Sequence, residues 1–212
     1  MNNRPAILRT LSLLALCALA LSACAAPAVT TLHTLQPVRQ QPLGRDFAGF
    51  GGMILLMPVQ LAPHLQGRGL ISQKASGEAR TSATHLWAGP LEQQIAQQIV
   101  ANLKDALATD NVAAYPGPRF GAVRYQLEIE MNEFSGNGQS FTTTAVYTLS
   151  DAADKTILTR KTFRQTRPID KPAYSGYVAS ASEAIADLST ETATALLAAR
   201  RSQPAPRNAH EN

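Results

Sequence analysis

From residue 123 the chain alternates. Val123, Tyr125, Leu127, Ile129 and Met131 take one phase, and Arg124, Gln126, Glu128, Glu130 and Asn132 the other. Successive side chains of a strand point to opposite faces, so a period of two predicts a long strand with one wet face. The stretch "SGNGQ" (135–139) has the composition of a tight turn. Phe141, Thr143, Ala145, Tyr147 and Leu149 then continue the alternation, and "DAADK" (151–155) marks a second turn ahead of a strand over 156–164. Three strands joined by short turns predict an antiparallel meander.

Two stretches follow the helical period instead. Leu91, Ile95, Ile99, Leu103 and either Ala106 or Leu107 fall on one face, with Glu92, Gln93, Gln97, Lys104 and Asp105 opposite, which predicts a helix over 91–107. Pro90 suits its first position, where a missing N–H costs nothing, and Thr109-Asp110-Asn111 ends it. A second helix is predicted over about 174–199. Its buried stripe is Tyr177, Ala181, Ile185 (or Ala184), Leu188, Thr192, Ala195 and Leu196, and Arg200 and Arg201 lie at the end where cations suit the helix dipole.

Ahead of the first helix, "TLHTLQP" (31–37) reads as an opening strand and 40–52 as a loop with Gly44, Gly49, Gly51 and Gly52. "MILLMPVQL" (53–61) is apolar almost throughout and predicts a strand buried on both faces, with Pro58 near its end. Residues 67–74 and 79–87 are further strand candidates. Strands, helix, meander and helix predict an α/β fold: a two-layer sandwich in which a mixed, largely antiparallel sheet carries two main helices on one face. The expected single domain covers 31–200, followed by a disordered tail over 201–212.

The N-terminus has a different pattern. Arg4 and Arg9 precede Leu11–Leu21, an almost pure Leu/Ala run with Cys17 inside it. The run is shorter than the roughly 20 residues of a spanning helix, and basic, apolar and small segments in that order describe a secretory signal peptide over 1–23. Leu21-Ser22-Ala23-Cys24 resembles the bacterial lipobox. That resemblance implies a diacylglycerol on the Cys24 sulfur and an N-acyl chain on Cys24 as first mature residue, with a tether over 24–30; two or more chains make attachment stable. The alternative is an ordinary signal peptide that contains cysteines. On the lipobox reading Cys17 is one more small apolar residue, and the mature chain has neither thiol nor disulfide. Ala25 stands where an Asp would resemble the inner-membrane retention signal, which favours the periplasmic face of the outer membrane in a Gram-negative source.

Apolar residues make up 45% of the chain and charged ones 16%, enough for a packed core. Of the 19 basic residues two lie in the signal segment; the other 17 face 15 acidic ones. So small a surplus argues against a nucleic-acid partner. His33, His64, His85 and His210 show no ligand spacing, and no serine-hydrolase elbow, Walker loop or dinucleotide fingerprint occurs. Glu128 and Glu130 share a strand face, where a solvated surface is the simpler account than a catalytic pair. No enzyme, cofactor or metal is expected. Trp87, Tyr174 and Tyr177 are the candidate partner or lipid contacts; the competing reading of Trp87 is a core anchor at the start of the first helix.

Several stretches together resemble the ABC-type transport auxiliary lipoproteins, the PqiC-like family of Gram-negative bacteria. Pro58-Val59-Gln60-Leu61, Trp87-Ala88-Gly89-Pro90-Leu91, the strand Tyr125 to Ile129 and "YVASASEAIADLS" (177–189) carry the resemblance in order and spacing. His33 and His64 stand where members have tyrosine. The resemblance implies a non-catalytic role at the outer membrane: docking the periplasmic MCE-domain protein of an inner-membrane transporter that moves lipids or other hydrophobic molecules, with a homo-oligomer as one form. A lipid-binding carrier, and an envelope assembly lipoprotein with another partner, are the alternatives.

Overall fold

The computed structural model describes residues 28–74, 76–170 and 173–202. The signal segment, Cys24 and the tail beyond residue 202 lie outside them. The chain separates into two compact units, residues 1–30 and 31–212, and the second holds everything below.

The meander is the spine. β7 (Val123–Gly136) and β8 (Ser140–Asp151) pair antiparallel from Tyr125↔Asp151 to Gly136↔Phe141, and β9 (Ile157–Pro168) continues on β8. The alternation predicted for β7 holds through Met131. There a bulge opens, Met131 facing Ala145 and Glu133 facing Thr144, so Asn132 has no partner. The extra residue resets the phase, and Phe134 rather than Glu133 enters the core. At the tip Gly138 has φ +89°, a left-handed conformation that favours glycine, and Asn137 Oδ1 accepts from the Gln139 and Ser140 N–H groups.

β7's other edge is shared by three short parallel strands. β2 (Met53–Leu56) pairs with its first part, β3 (Gln60–Leu61) with Glu130 and Met131, and β4 (Gly69–Gln73) meets it at Ser72↔Gly136. β5 (Ala79–Trp87) runs antiparallel to β4, and β1 (Thr31–His33) adds parallel to β5. Among the described residues the sheet has nine strands. The ninth is β6 (Val112–Ala114), parallel to β2, which no sequence signal had marked. Three residues are too few to show a period; the crossover through the first helix positions them. Most paired residues are antiparallel, as expected, yet β1, β2, β3 and β4 all attach in parallel.

The predicted strand over 53–61 is corrected to two. Met53–Leu56 is fully buried, β3 is a separate pair of residues, and Pro58 sits in the break, where its missing N–H interrupts no ladder. The opening strand is also shorter than 31–37, since the chain leaves the sheet at Thr34 to cross the helices.

Helix α1 spans Leu91–Leu107 and α2 spans Ala173–Ser202. Every predicted core position of α1 is buried, as are Tyr177, Ala181, Ala184, Ile185, Leu188, Thr192 and Leu196 of α2. Both stripes join Tyr125, Leu127, Ile129, Met131, Phe134, Tyr147 and Leu149 in one large core. α2 continues through Ser202, so residues 201 and 202 are helical rather than tail. Arg201 pairs there with Asp46 at 3.0 Å. Among the described residues no helix is long and apolar enough to cross a membrane.

Candidate functional site

The three candidate aromatics come together at one end of the sheet, where β4, β5, the β7–β8 turn and the first turns of α2 meet. Trp87 is 2% exposed, its ring 6.3 Å from Phe134 and 6.4 Å from Tyr177. It is a core anchor, and as a surface contact it is corrected. Tyr177 is also buried; it packs edge-on to Phe141 at 4.9 Å and donates its hydroxyl to the Ile71 carbonyl at 2.9 Å. Burial pushes that phenol well above its ordinary pKa, so it remains a donor at any physiological pH. Tyr174, 36% exposed, is the member of the trio that reaches the surface.

An open cleft of about 370 Å³ lies over this cluster. Leu70, Ile169, Tyr174 and Tyr177 give it apolar walls, and Ser72, Ser82 and Arg80 a polar rim. Gly136 forms part of the lining because nothing larger fits: a Cβ there would stand 2.8 Å from the Tyr177 ring. Arg80 is held at the rim by Glu78 at 2.7 Å, which also pairs with Lys74 at 3.3 Å. The site offers a shallow apolar recess with hydrogen-bonding edges, a form that holds a side chain or an alkyl segment.

Beside the cleft stands a histidine pair that sequence reasoning did not join. His33 on β1 and His85 on β5 approach at 3.0 Å, Nε2 to Nδ1, and His85 stacks on Tyr174 with ring centroids 3.5 Å apart. Such a pair shares one proton between two lone pairs, so it tolerates one positive charge and resists two. Burial, and then the neighbouring His85, hold the His33 pKa below its usual value. His33 and His85 are 52 residues apart, and the parallel register Thr31↔His85, His33↔Trp87 that unites them is invisible without the sheet. His64 lies apart, in a single 3-10 turn over Pro63–Leu65.

The chain then straps the helix pair. Leu35 N–H donates to Gln94 Oε1 at 3.1 Å on α1, and Gln36 N–H to Ser182 Oγ at 2.8 Å on α2. Gln98, buried in α1, donates to the carbonyls of both Gln36 and Ser182, and Asn102 donates to Ser189 Oγ. Shallow recesses flank the strap, one toward each helix. The signal for this seam was present: Gln94, Gln98 and Asn102 recur every four residues beside the apolar stripe. Among the described residues no group of three or more His, Cys, Asp or Glu side chains is placed to hold a metal ion. Glu130 pairs with Arg160 of β9 at 3.3 Å and Glu128 is exposed, the solvated face that alternation implies.

A mixed sheet with two helices, an aromatic-walled recess and a strapped N-terminal strand define a fold that solved structures share. Residues 33–193 match the model of the ABC-type transport auxiliary lipoprotein component family, and the chain belongs to that family. It is 27% identical over 124 residues to the intermembrane transport lipoprotein PqiC of Escherichia coli strain K12, and equally to that of Shigella flexneri. Those alignments take in 58% of this chain and 65% of the relative. Among solved structures, a protein from Xanthomonas campestris superposes with a TM-score of 0.62 at 18% identity, covering 85% of this chain and 100% of that one. Another, described as uncharacterized, reaches 0.65 at 19% identity over 79% and 99%. At such identities the likeness concerns the fold alone.

Proposed function

We propose that this chain is a non-catalytic lipoprotein, anchored through Cys24 to the periplasmic face of the outer membrane, that docks the MCE-domain protein of an ABC-linked transporter for lipids or other hydrophobic molecules. The observation that carries the reading is the family match over 33–193. The PqiC relatives, named as intermembrane transport lipoproteins, support it, as does Leu21-Ser22-Ala23-Cys24 ahead of the domain. Outer-membrane lipid is then the anchor's partner, bound through the diacylglycerol and N-acyl chain on Cys24. The test is a crosslinked pull-down of the lipidated protein from its native envelope, with proteins and lipids identified together. Recovery of an MCE-domain protein is the expected result; an envelope partner without MCE domains overturns the reading. Cys24→Ala is expected to release a folded protein from the outer-membrane fraction, and a variant that stays there removes the anchor.

A second reading, a periplasmic lipid carrier, is favoured by one feature, the apolar-walled cleft at Tyr174 and Tyr177. Its volume suits a single alkyl segment and not a whole two-chain lipid. Stoichiometric lipid recovered without an MCE protein would select this reading instead.

A further inference from the structure

The nine-stranded sheet is long on one free side. β1 and β6, at other edges, have three residues each, whereas β9 runs for 12 and pairs with β8 alone. In an antiparallel ladder every second residue turns its N–H and C=O away from the neighbouring strand. Among the described residues no backbone group outside β8 bonds to Ile157–Arg167. An open row of main-chain donors and acceptors therefore follows β9, the arrangement onto which an extended segment can add.

The side chains narrow what can add. Between Ile157 and Pro168 stand Arg160, Lys161, Arg164 and Arg167, with no acidic residue. Two of the four are engaged within the molecule: Arg160 with Glu130 and Thr148, and Arg167 with Glu183 and Asp187 of α2. Lys161 and Arg164 are exposed and take no ion-pair partner among the described residues. Ile157, 61% exposed, offers an apolar contact where the strand begins. A second copy pairing through its own β9 would set cations against cations, and like charges directly opposite one another are destabilising. The same cations that guard the edge against its own kind select a strand of opposite charge.

We propose that β9 is a strand-addition site for an extended acidic segment of a partner protein. The segment would pair with the outward backbone groups of 157–167 and bring carboxylates to Lys161 and Arg164. Main-chain hydrogen bonds would supply affinity and the two cations specificity. This goes beyond the docking role above and stands whichever assembly supplies the strand.

The test uses hydrogen exchange on the full-length protein, with a probe peptide of β9's own length that repeats Glu-Glu-Val-Val, so that carboxylates fall on both sheet faces. Exchange of the outward amides in 157–167 is expected to slow about tenfold with this peptide and to be unchanged by the same peptide bearing Lys for Glu. The double variant Lys161→Glu, Arg164→Glu, whose sites are exposed, should keep its melting temperature and lose the protection. Equal protection by both peptides, no protection at β9, or protection that survives the double variant overturns the proposal. Anionic phosphatidylglycerol vesicles separate the one rival: binding to them through Lys161 and Arg164, without peptide protection, would make the strip a membrane contact and overturn it.

Discussion

The two edges of β7 are held in opposite ways. Along one, β8 pairs with it continuously through a turn of a few residues, broken by one bulge. Along the other, β2, β3 and β4 each take a short section, and β4 touches it at a single residue pair. The first edge is local in sequence and its contacts reinforce one another. The second is assembled from segments 64 to 71 residues upstream of the residues they pair with, and it is there, past the last of these attachments, that the aromatic cleft and the histidine pair sit. Continuous local pairing holds one side of the spine and short long-range attachments the other, so the first is expected to resist opening more.

That contrast can be broken from the strong side first. Leu127 is fully buried between the hairpin and the helices. Leu127→Asp would bury an unpaired charge there and is expected to cost about 3–5 kcal/mol, enough to lower the melting temperature by roughly 10 °C. An unchanged melting curve would mean that the alternation of β7 does not set its core face. Next comes the joint between the two sides. Gly136→Ala forces a methyl group against the Tyr177 ring and is expected to cost about 1–3 kcal/mol. Chemical denaturation would measure the loss, and tyrosine fluorescence should register the displaced ring.

On the weak side the effects are smaller. Tyr177→Phe removes the hydroxyl donated to the Ile71 carbonyl, at a cost of about 1 kcal/mol. Hydrogen exchange should quicken in β4 and the first turn of α2 while β8 is unchanged; uniform quickening would deny the division between the edges. Last is the histidine pair. Its folded state favours neutral His33, so the contribution to stability is complete above the unfolded pKa of about 6.5 and declines as pH falls through that value. Denaturation midpoints between pH 8 and pH 5 should fall more for the native chain than for His33→Tyr, which keeps an aromatic ring at this position without an imidazole. Parallel curves for the two would exclude the pair as the source.

How much was legible follows the same division. The helices and the meander were readable because their periods run for ten residues or more and their partners are adjacent in the chain. α1 was placed to the residue. β6, the break at Pro58 and the meeting of His33 with His85 were hidden, since each depends on a parallel pairing that no local pattern encodes. Of the candidate contacts, Trp87 was ambiguous because a tryptophan ahead of a helix serves equally as anchor or as surface, and the hydrophobic shell around Phe134 and Tyr177 decides it. Tyr174, named as a candidate partner or lipid contact, does lie at the surface, and its histidine neighbour was not foreseen.

The strap over residues 34–38 has a mechanical consequence. Tension drawn through the chain from its N-terminal side meets β1 first, where three residues lie alongside β5, and then Gln36, fastened to both helices at once. The pull is divided between the sheet edge and the seam of the helix pair, and no single bond carries it. Load that enters the domain by this route is shared out before it can reach the hairpin that holds the fold together.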